Sequence, residues 1–323
     1  MINIEQLGRT SGYAHLHNST DQSAWQNLRI PVHCLNGGPG PTTLVLGGMH
    51  GDEYEGPVAI DALAHLLDVS ALTGRLILVP GLNLPAVMSG TRLTPDDGLN
   101  LNRVFPGELH GSLTQRMAHW VTHTLVPVAD NVIDLHSGGR SLHFAPSMLL
   151  HETEGVAFEM GLKAAKAFGA PFTILLREDH ADMMIDAIVE RQGKVMIASE
   201  LGGAGILTSK TALLAKAGLL RALASLGHLK TVDPVPETVL VRLPSSDAHI
   251  LSDETIIFAP EIELGSWVSR GDIIGWQHRI DRADRPPQST KAVYDGWIVC
   301  MAGQGLVHRN DVLAIVAHSV DSD

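Results

Sequence analysis

His50 and Glu53 stand three residues apart in the glycine-rich stretch LGGMHGDEYEG, just after an apolar run. Imidazole nitrogens and carboxylate oxygens are what a catalytic zinc takes, three from the protein with a fourth position left for water. His136, in NVIDLHSGG, would complete a His2Glu set. Zinc held by such a set lowers the pKa of its water to about 7. Glu200, in IASELGG, is a further carboxylate able to take the water's proton and hand it to a leaving nitrogen. Asn102 and Arg103, in LNLNRVFPG, and Arg92 add cations and an amide. A guanidinium can hold a carboxylate through two hydrogen bonds, and a second can stabilise an oxyanion.

Each residue also has an ordinary reading. A His and a Glu at this spacing occur in many polar loops, and a lone His136 at a strand end fits a satisfied buried histidine. Glu200 could cap a helix or pair with a cation, and Arg103 could form a surface ion pair. Other patterns carry less. HWVTH places His119 and His123 four apart, but Trp120 stands where a zincin helix needs glutamate. The triplet His180-Ala181-Asp182 has no GxSxG elbow to serve, and neither a Walker A loop nor a GxGxxG fingerprint is present. Tyr54 and Tyr294 are given no role.

What favours chemistry is where the elements put these residues. TTLVLGG, GRLILVPGLN, NVIDLHSGG, FTILLRE and VMIASELGG read as strands, several of them apolar on both faces. Between them GPVAIDALAHLLD and SLTQRMAHWVTHTLV read as helices, the second opened by a Ser112–Gln115 capping box. The expected fold is α/β, a mostly parallel or mixed sheet flanked by helices. The four polar clusters then fall at or just beyond the ends of four strands, where open α/β sheets bind ligands. The flanking glycines, such as Gly51 and Gly139, leave room for sharp turns.

After the helical stretch SKTALLAKAGLLRALASLG comes HLKTVDPVPETV, with two prolines and few hydrophobes. It marks a boundary between a catalytic domain, 1–230, and a small all-β domain, 231–323. The tail holds an echo: GSWVSRGDIIG and QGLVHRNDVLA align Val268 with Val307, Arg270 with Arg309 and Asp272 with Asp311. Two similar hairpin halves suggest a barrel-sandwich, similar to the biotinyl/lipoyl-like fold but without an attachment lysine.

Composition sets outer limits. At 323 residues, 45% hydrophobic and 18% charged, the chain is ordinary globular protein. A formal net charge of −12 and the lack of any basic run argue against a nucleic-acid binder. Two distant cysteines, Cys34 and Cys300, offer no disulfide framework and fit a reducing cytoplasm. No leader pattern and no long apolar window point to secretion or a membrane. The sequence leaves the oligomeric state open, a homo-oligomer included.

GGMHGDEYEG, LNLNRVFPG, IDLHSGG and ASELGG, in that order, resemble the succinylglutamate desuccinylase/aspartoacylase family of zinc-dependent deacylases, itself similar to the zinc carboxypeptidases. The resemblance covers roughly residues 40 to 230, and the β-rich tail is similar too. It implies one zinc per chain on His50, Glu53 and His136, with Glu200 activating water. It also implies a substrate carboxylate held by Asn102 and Arg103. Arg92 matches the arginine that polarises the scissile carbonyl only if three extra residues are allowed at TPDDG. Asp134, two residues before His136, would orient that histidine.

Within the family, the long form with HGDEYEGP is most similar to the branch that deacetylates N-α-acetyl-diaminobutyrate in ectoine breakdown. The implied activity is hydrolysis of the amide of a small N-acyl amino acid. The substrate's ammonium would need an acid, for which Asp52, Asp96 and Asp97 are candidates. The C-terminal domain is expected to lean over the cleft and favour short substrates. Two rivals stand beside this reading: a zinc carboxypeptidase acting on short peptides, and a metal-dependent binding protein without catalysis.

Overall fold

The computed structural model describes residues 3–21, 23–177, 182–230, 234–243 and 248–320; His180 lies outside the described residues. The chain opens with a long antiparallel hairpin, β1 (Gly8–Thr20) and β2 (Ser23–Asn36). Sequence patterning passes over this hairpin because most of it is polar and half exposed. Only from Ile30 does β2 bury a run of residues.

An alternating α/β stretch follows: β3 (Thr42–Gly47), α1 (Glu55–Leu66), β4 (Arg75–Val79), α2 (Leu84–Ser89), α3 (Leu113–Trp120) and β5 (Asn131–His136). It continues with β6 (Leu142–Phe144), β7 (Ser147–His151), α4 (Val156–Phe168), β8 (Phe172–Leu176), α5 (Ile185–Glu190), β9 (Val195–Glu200) and α6 (Ser209–Ser225). Every residue of β3 and of β5 is buried, as expected of strands covered on both faces, including the polar Asn131, Asp134 and His136 of β5. Helices α1, α4 and α6 cover one face around Ile60, Phe168 and Leu219. On the other face Phe105, Met117 and Val121 pack with the inner half of β2.

Beyond residue 230 the described residues hold strands and no α-helix: β10 (Val239–Arg242), β11 (His249–Leu251), β12 (Ile256–Pro260), β13 (Trp267–Val268) and β14 (Ile273–His278). The last four are β15 (Gln288–Lys291), β16 (Gly296–Ala302), β17 (Leu306–Val307) and β18 (Val312–Ser319). Fourteen strands form one mixed sheet whose main path runs β1-β2-β4-β3-β5-β9-β7-β8-β10-β18-β16-β13. A separate antiparallel sheet, β15-β14-β12-β17, closes a sandwich over Val268, Ile274, Ile298 and Val316.

The sequence echo has a structural counterpart. Val268 and Val307 are both buried. The backbone N–H of the next residue, Ser269 or His308, donates to the carboxylate of Asp272 or Asp311 in turn. Gly271 and Asn310 take the left-handed conformation at the same place in the two turns. Asparagine tolerates that conformation better than most residues, so either residue can close the same turn.

Candidate active site

Parallel pairing of β5 with β9 sets His136 directly opposite Glu200, at the ends of neighbouring strands. On the other side of β5 lies β3, and the chain leaving it turns at once into the loop that carries His50 and Glu53. Gly51 is required there: a Cβ would lie 1.9 Å from the carbonyl carbon of Ala86. The loop is therefore seated against α2 at backbone contact, held by Gly51 N–H donating to the Thr91 carbonyl at 2.9 Å.

His50 Nδ1 lies 2.8 Å from Glu53 Oε1, and His136 Nδ1 lies 2.9 Å from Glu53 Oε2. All three residues are buried, and their ligand atoms fall within 4.8 Å of one another. The far nitrogen of each ring is engaged as well. His136 Nε2 is 2.8 Å from Asp134 Oδ2, and His50 Nε2 is 3.0 Å from Asn100 Oδ1. Such partners fix which nitrogen faces inward and orient the ring, as around ligand histidines. Two nitrogens and a carboxylate, pre-aimed at one point, are a donor set that suits zinc.

The charges explain themselves in the same terms. Burial opposes ionisation of Glu53, but His136 and His50 outweigh it and hold the carboxyl well below the usual range. Burial likewise opposes an imidazolium at His136, yet Asp134 and Glu53 raise it well above its ordinary value. Glu200 differs from both. Burial, helped by the charge of Glu53, pushes its carboxyl up to about 8, and its buried Oε2 has no partner among the described residues. An acid in this range can both accept and return a proton near neutrality.

A cleft of about 130 Å³ opens beside the cluster, and His50, Arg92, Asn102, Arg103, His136 and Glu200 all line it. Arg92 Nη1 reaches Glu53 Oε1 at 3.2 Å. Asn102 and Arg103 sit on a short 3-10 turn, Leu101–Arg103, rather than at a strand end. Asn102 is buried and its Oδ1 accepts from Ile185 N–H at 3.1 Å, while Arg103 extends toward solvent. Asn100 ties this turn to the histidine, since its Oδ1 accepts from Asn102 N–H as well as meeting His50. Sequence reasoning takes note of the LNLNRVFPG motif yet finds no role for Asn100 within it.

Several expectations need correction. Asp52, Asp96 and Asp97 do not line the cleft. The Asp52 carboxylate accepts from Arg140 N–H at 2.9 Å and abuts Gly139, so it ties the His50 loop to the loop after His136. Asp97 caps Thr114, and Asp96 accepts from Asn18. Besides Glu200, the acids that do line the cleft are Asp186 and Glu190 of α5, with His151 of β7 beside them. Neither element stands out in the sequence. Among the described residues, none after Glu200 lines the cleft. Instead β16 pairs with β6 and braces the loop after His136 from outside. His119 and His123 stack on each other on α3 and its extension, away from the cleft lining.

The fold and this cluster define the class. A model of the succinylglutamate desuccinylase/aspartoacylase catalytic domain matches residues 39–226, and the chain belongs to that family. The N-alpha-acetyl-L-2,4-diaminobutyric acid deacetylase of Halomonas elongata is 36% identical, the match covering 99% of this chain and 95% of that protein. The product-bound structure of the ectoine utilization protein EutE from Ruegeria pomeroyi superposes with a TM-score of 0.94 at 38% identity, covering 98% of both chains. A succinylglutamate desuccinylase/aspartoacylase structure from Rhodobacter sphaeroides gives 0.93 at 34% identity, over 99% of this chain and 98% of that one.

Proposed function

We propose that this protein is a zinc-dependent amidohydrolase that removes the acetyl group from N-α-acetyl-diaminobutyrate, a step of ectoine degradation. The observation that carries the reading is the convergence of His50 Nδ1, His136 Nδ1 and the Glu53 carboxylate beside a buried, unpaired oxygen of Glu200. Similarity over nearly the whole chain to a deacetylase of that substrate supports it. Residues 1–230 would form the catalytic unit, with 231–323 a β-domain bracing it, in a cytoplasmic enzyme. Among the described residues no helix is long and apolar enough to cross a membrane.

His50, Glu53 and His136 would hold one zinc ion. Bound zinc supplies a Lewis acid that polarises the acyl carbonyl and acidifies water. Asn102 and Arg103 bind the carboxylate of the amino acid and so orient the amide over the cluster. Glu200 removes the proton from the attacking water and delivers it to the amide nitrogen as the C–N bond breaks. Arg92, within reach of the same cluster, stabilises the oxyanion that develops on the acyl carbonyl. The products are acetate and a free amine.

Glu200→Gln is expected to lower kcat by about 10²- to 10⁴-fold, the usual contribution of a general base. Bound zinc, measured by atomic emission, should stay near one per chain. Turnover undiminished in that variant would remove Glu200 from the mechanism. A zinc-loaded wild type that cleaves dipeptides in preference to acetyl-amino acids would favour the carboxypeptidase reading.

A further inference from the structure

Part of the cleft lining is built around acids on α5. Asp186 and Glu190 stand four apart on α5, a spacing that puts both on one helix face, and both line the cleft. His151, at the end of β7, places Nδ1 2.9 Å from Glu190 Oε1. Asp186 is only 8% exposed, and its carboxylate forms no ion pair among the described residues. A buried carboxylate without a cation in direct contact is costly unless something arrives to meet it. Burial pushes the Asp186 carboxyl up, with Asp134 adding to it and His151 and His136 opposing.

The same cleft also carries cations. Arg92 and Arg103 line it, and Asp186 is near enough to Arg103 to act on it electrostatically without forming an ion pair. The cleft therefore presents a positive region for an anionic group and a negative one for a cationic group, with the apolar side chains of Met184 and Ala198 also in its wall.

We propose that Asp186 and Glu190 form a cation subsite that receives the side-chain ammonium of the substrate's amino acid and so selects diaminobutyrate-type substrates over neutral ones. This rests on the reading of the cleft as a deacylase site. Asp186 supplies a buried carboxylate that forms no ion pair among the described residues, and the Glu190–His151 pair lines the same cleft. An amino acid with an uncharged side chain would leave Asp186 buried without a partner, which is how the site would reject it.

The test compares zinc-loaded wild type with Asp186→Asn and Glu190→Gln on two substrates, N-α-acetyl-2,4-diaminobutyrate and N-acetyl-2-aminobutyrate, which differ by the ammonium. Wild type should prefer the cationic substrate by about 100-fold in kcat/KM, carried mainly by KM. That preference should fall to within a few fold of unity in at least one variant. A wild type without preference, or one whose preference survives in both variants, overturns the subsite. Calorimetric binding of free diaminobutyrate and of 2-aminobutyrate separates this failure from that of the deacylase reading. Selective binding of diaminobutyrate that is lost in Asp186→Asn, in a protein that hydrolyses neither substrate, would keep the subsite and discard the reading. Equal hydrolysis of both substrates would keep the reading and discard the subsite.

Discussion

Among the described residues, two clusters pair two histidines with one carboxylate: His50, Glu53 and His136 at the sheet edge, and His33, Asp61 and His65 where β2 meets α1. Donor types and mutual distances do not tell them apart. Burial and second partners do. The side chains of Asp61 and His65 are 63% and 57% exposed and stand four apart on a helix, a spacing that brings a surface pair together without any ligand. The Nδ1 of His33 meets the Ser11 hydroxyl at 2.8 Å, and His65 lies 3.6 Å from Asp61. In the sheet-edge cluster all three residues are buried, and each imidazole is gripped at its far nitrogen by Asp134 or Asn100. A metal centre is marked less by its donors than by what desolvates and aims them.

Removing a donor from each cluster should break this comparison if it is wrong, and here the largest effect is expected. His136→Ala should drop bound zinc from near one per chain to near zero after dialysis, with a loss of affinity beyond the roughly 100-fold that an outer partner can cost. The His33→Ala/His65→Ala double variant should leave zinc content near one. A second zinc in wild type that disappears in the double variant would make the two clusters equivalent. The next effect is smaller and concerns aim rather than ligation. Asp134→Asn keeps every donor but withdraws the carboxylate from His136 Nε2, and should weaken zinc binding by about 10- to 100-fold in chelator competition. Unchanged affinity would reduce Asp134 to packing.

The sheet-edge cluster is legible in sequence because its parts are local: His50 and Glu53 share a loop, and His136 and Glu200 each end a short apolar strand that patterning detects. What patterning misses is non-local or polar. Asp186, Glu190 and His151 become one wall only when α5 and β7 fold against each other, and neither short element announces itself. The hairpin β1–β2 escapes because an edge element exposed along most of its length needs no apolar run. Asn100 stays silent inside LNLNRVFPG, since nothing in a run of asparagines says which oxygen meets a histidine. How the C-terminal strands dock is not legible because a β-rich tail carries no signal of the edge it will pair with, here β6 and β8.

Backbone contact offers a third way to sharpen the contrast. Gly51→Ala would press a Cβ against the backbone of Ala86, so either the His50 loop or α2 must move. The expected cost is about 1–3 kcal/mol in urea denaturation, together with weaker zinc binding, because the displaced loop carries two donors. Gly193, between α5 and β9, has open space where a Cβ would stand, with no neighbouring atom within 4 Å. Its φ of +68° should make Gly193→Ala cost only the backbone term, about 1 kcal/mol, with zinc affinity unchanged. If both glycines cost the same and neither moves zinc affinity, close packing of the loop does not aim the ligands.

The smallest effect belongs to the His151–Glu190 pair, which is partly solvent-exposed and so weaker than the pairs beneath it. The Glu190 hydrogen bond raises His151 above its ordinary value of 6.5, with burial opposing. The pair's contribution is therefore complete below about pH 6.5, the unfolded value, and fades as pH rises through the higher folded value. His151→Asn should be less stable than wild type at pH 5.5, and the gap should close toward pH 8.5 in urea titrations at matched salt. A gap that widens with pH would mean that the imidazole is neutral where Glu190 meets it. The cleft lining would then carry two carboxylates without an imidazolium partner.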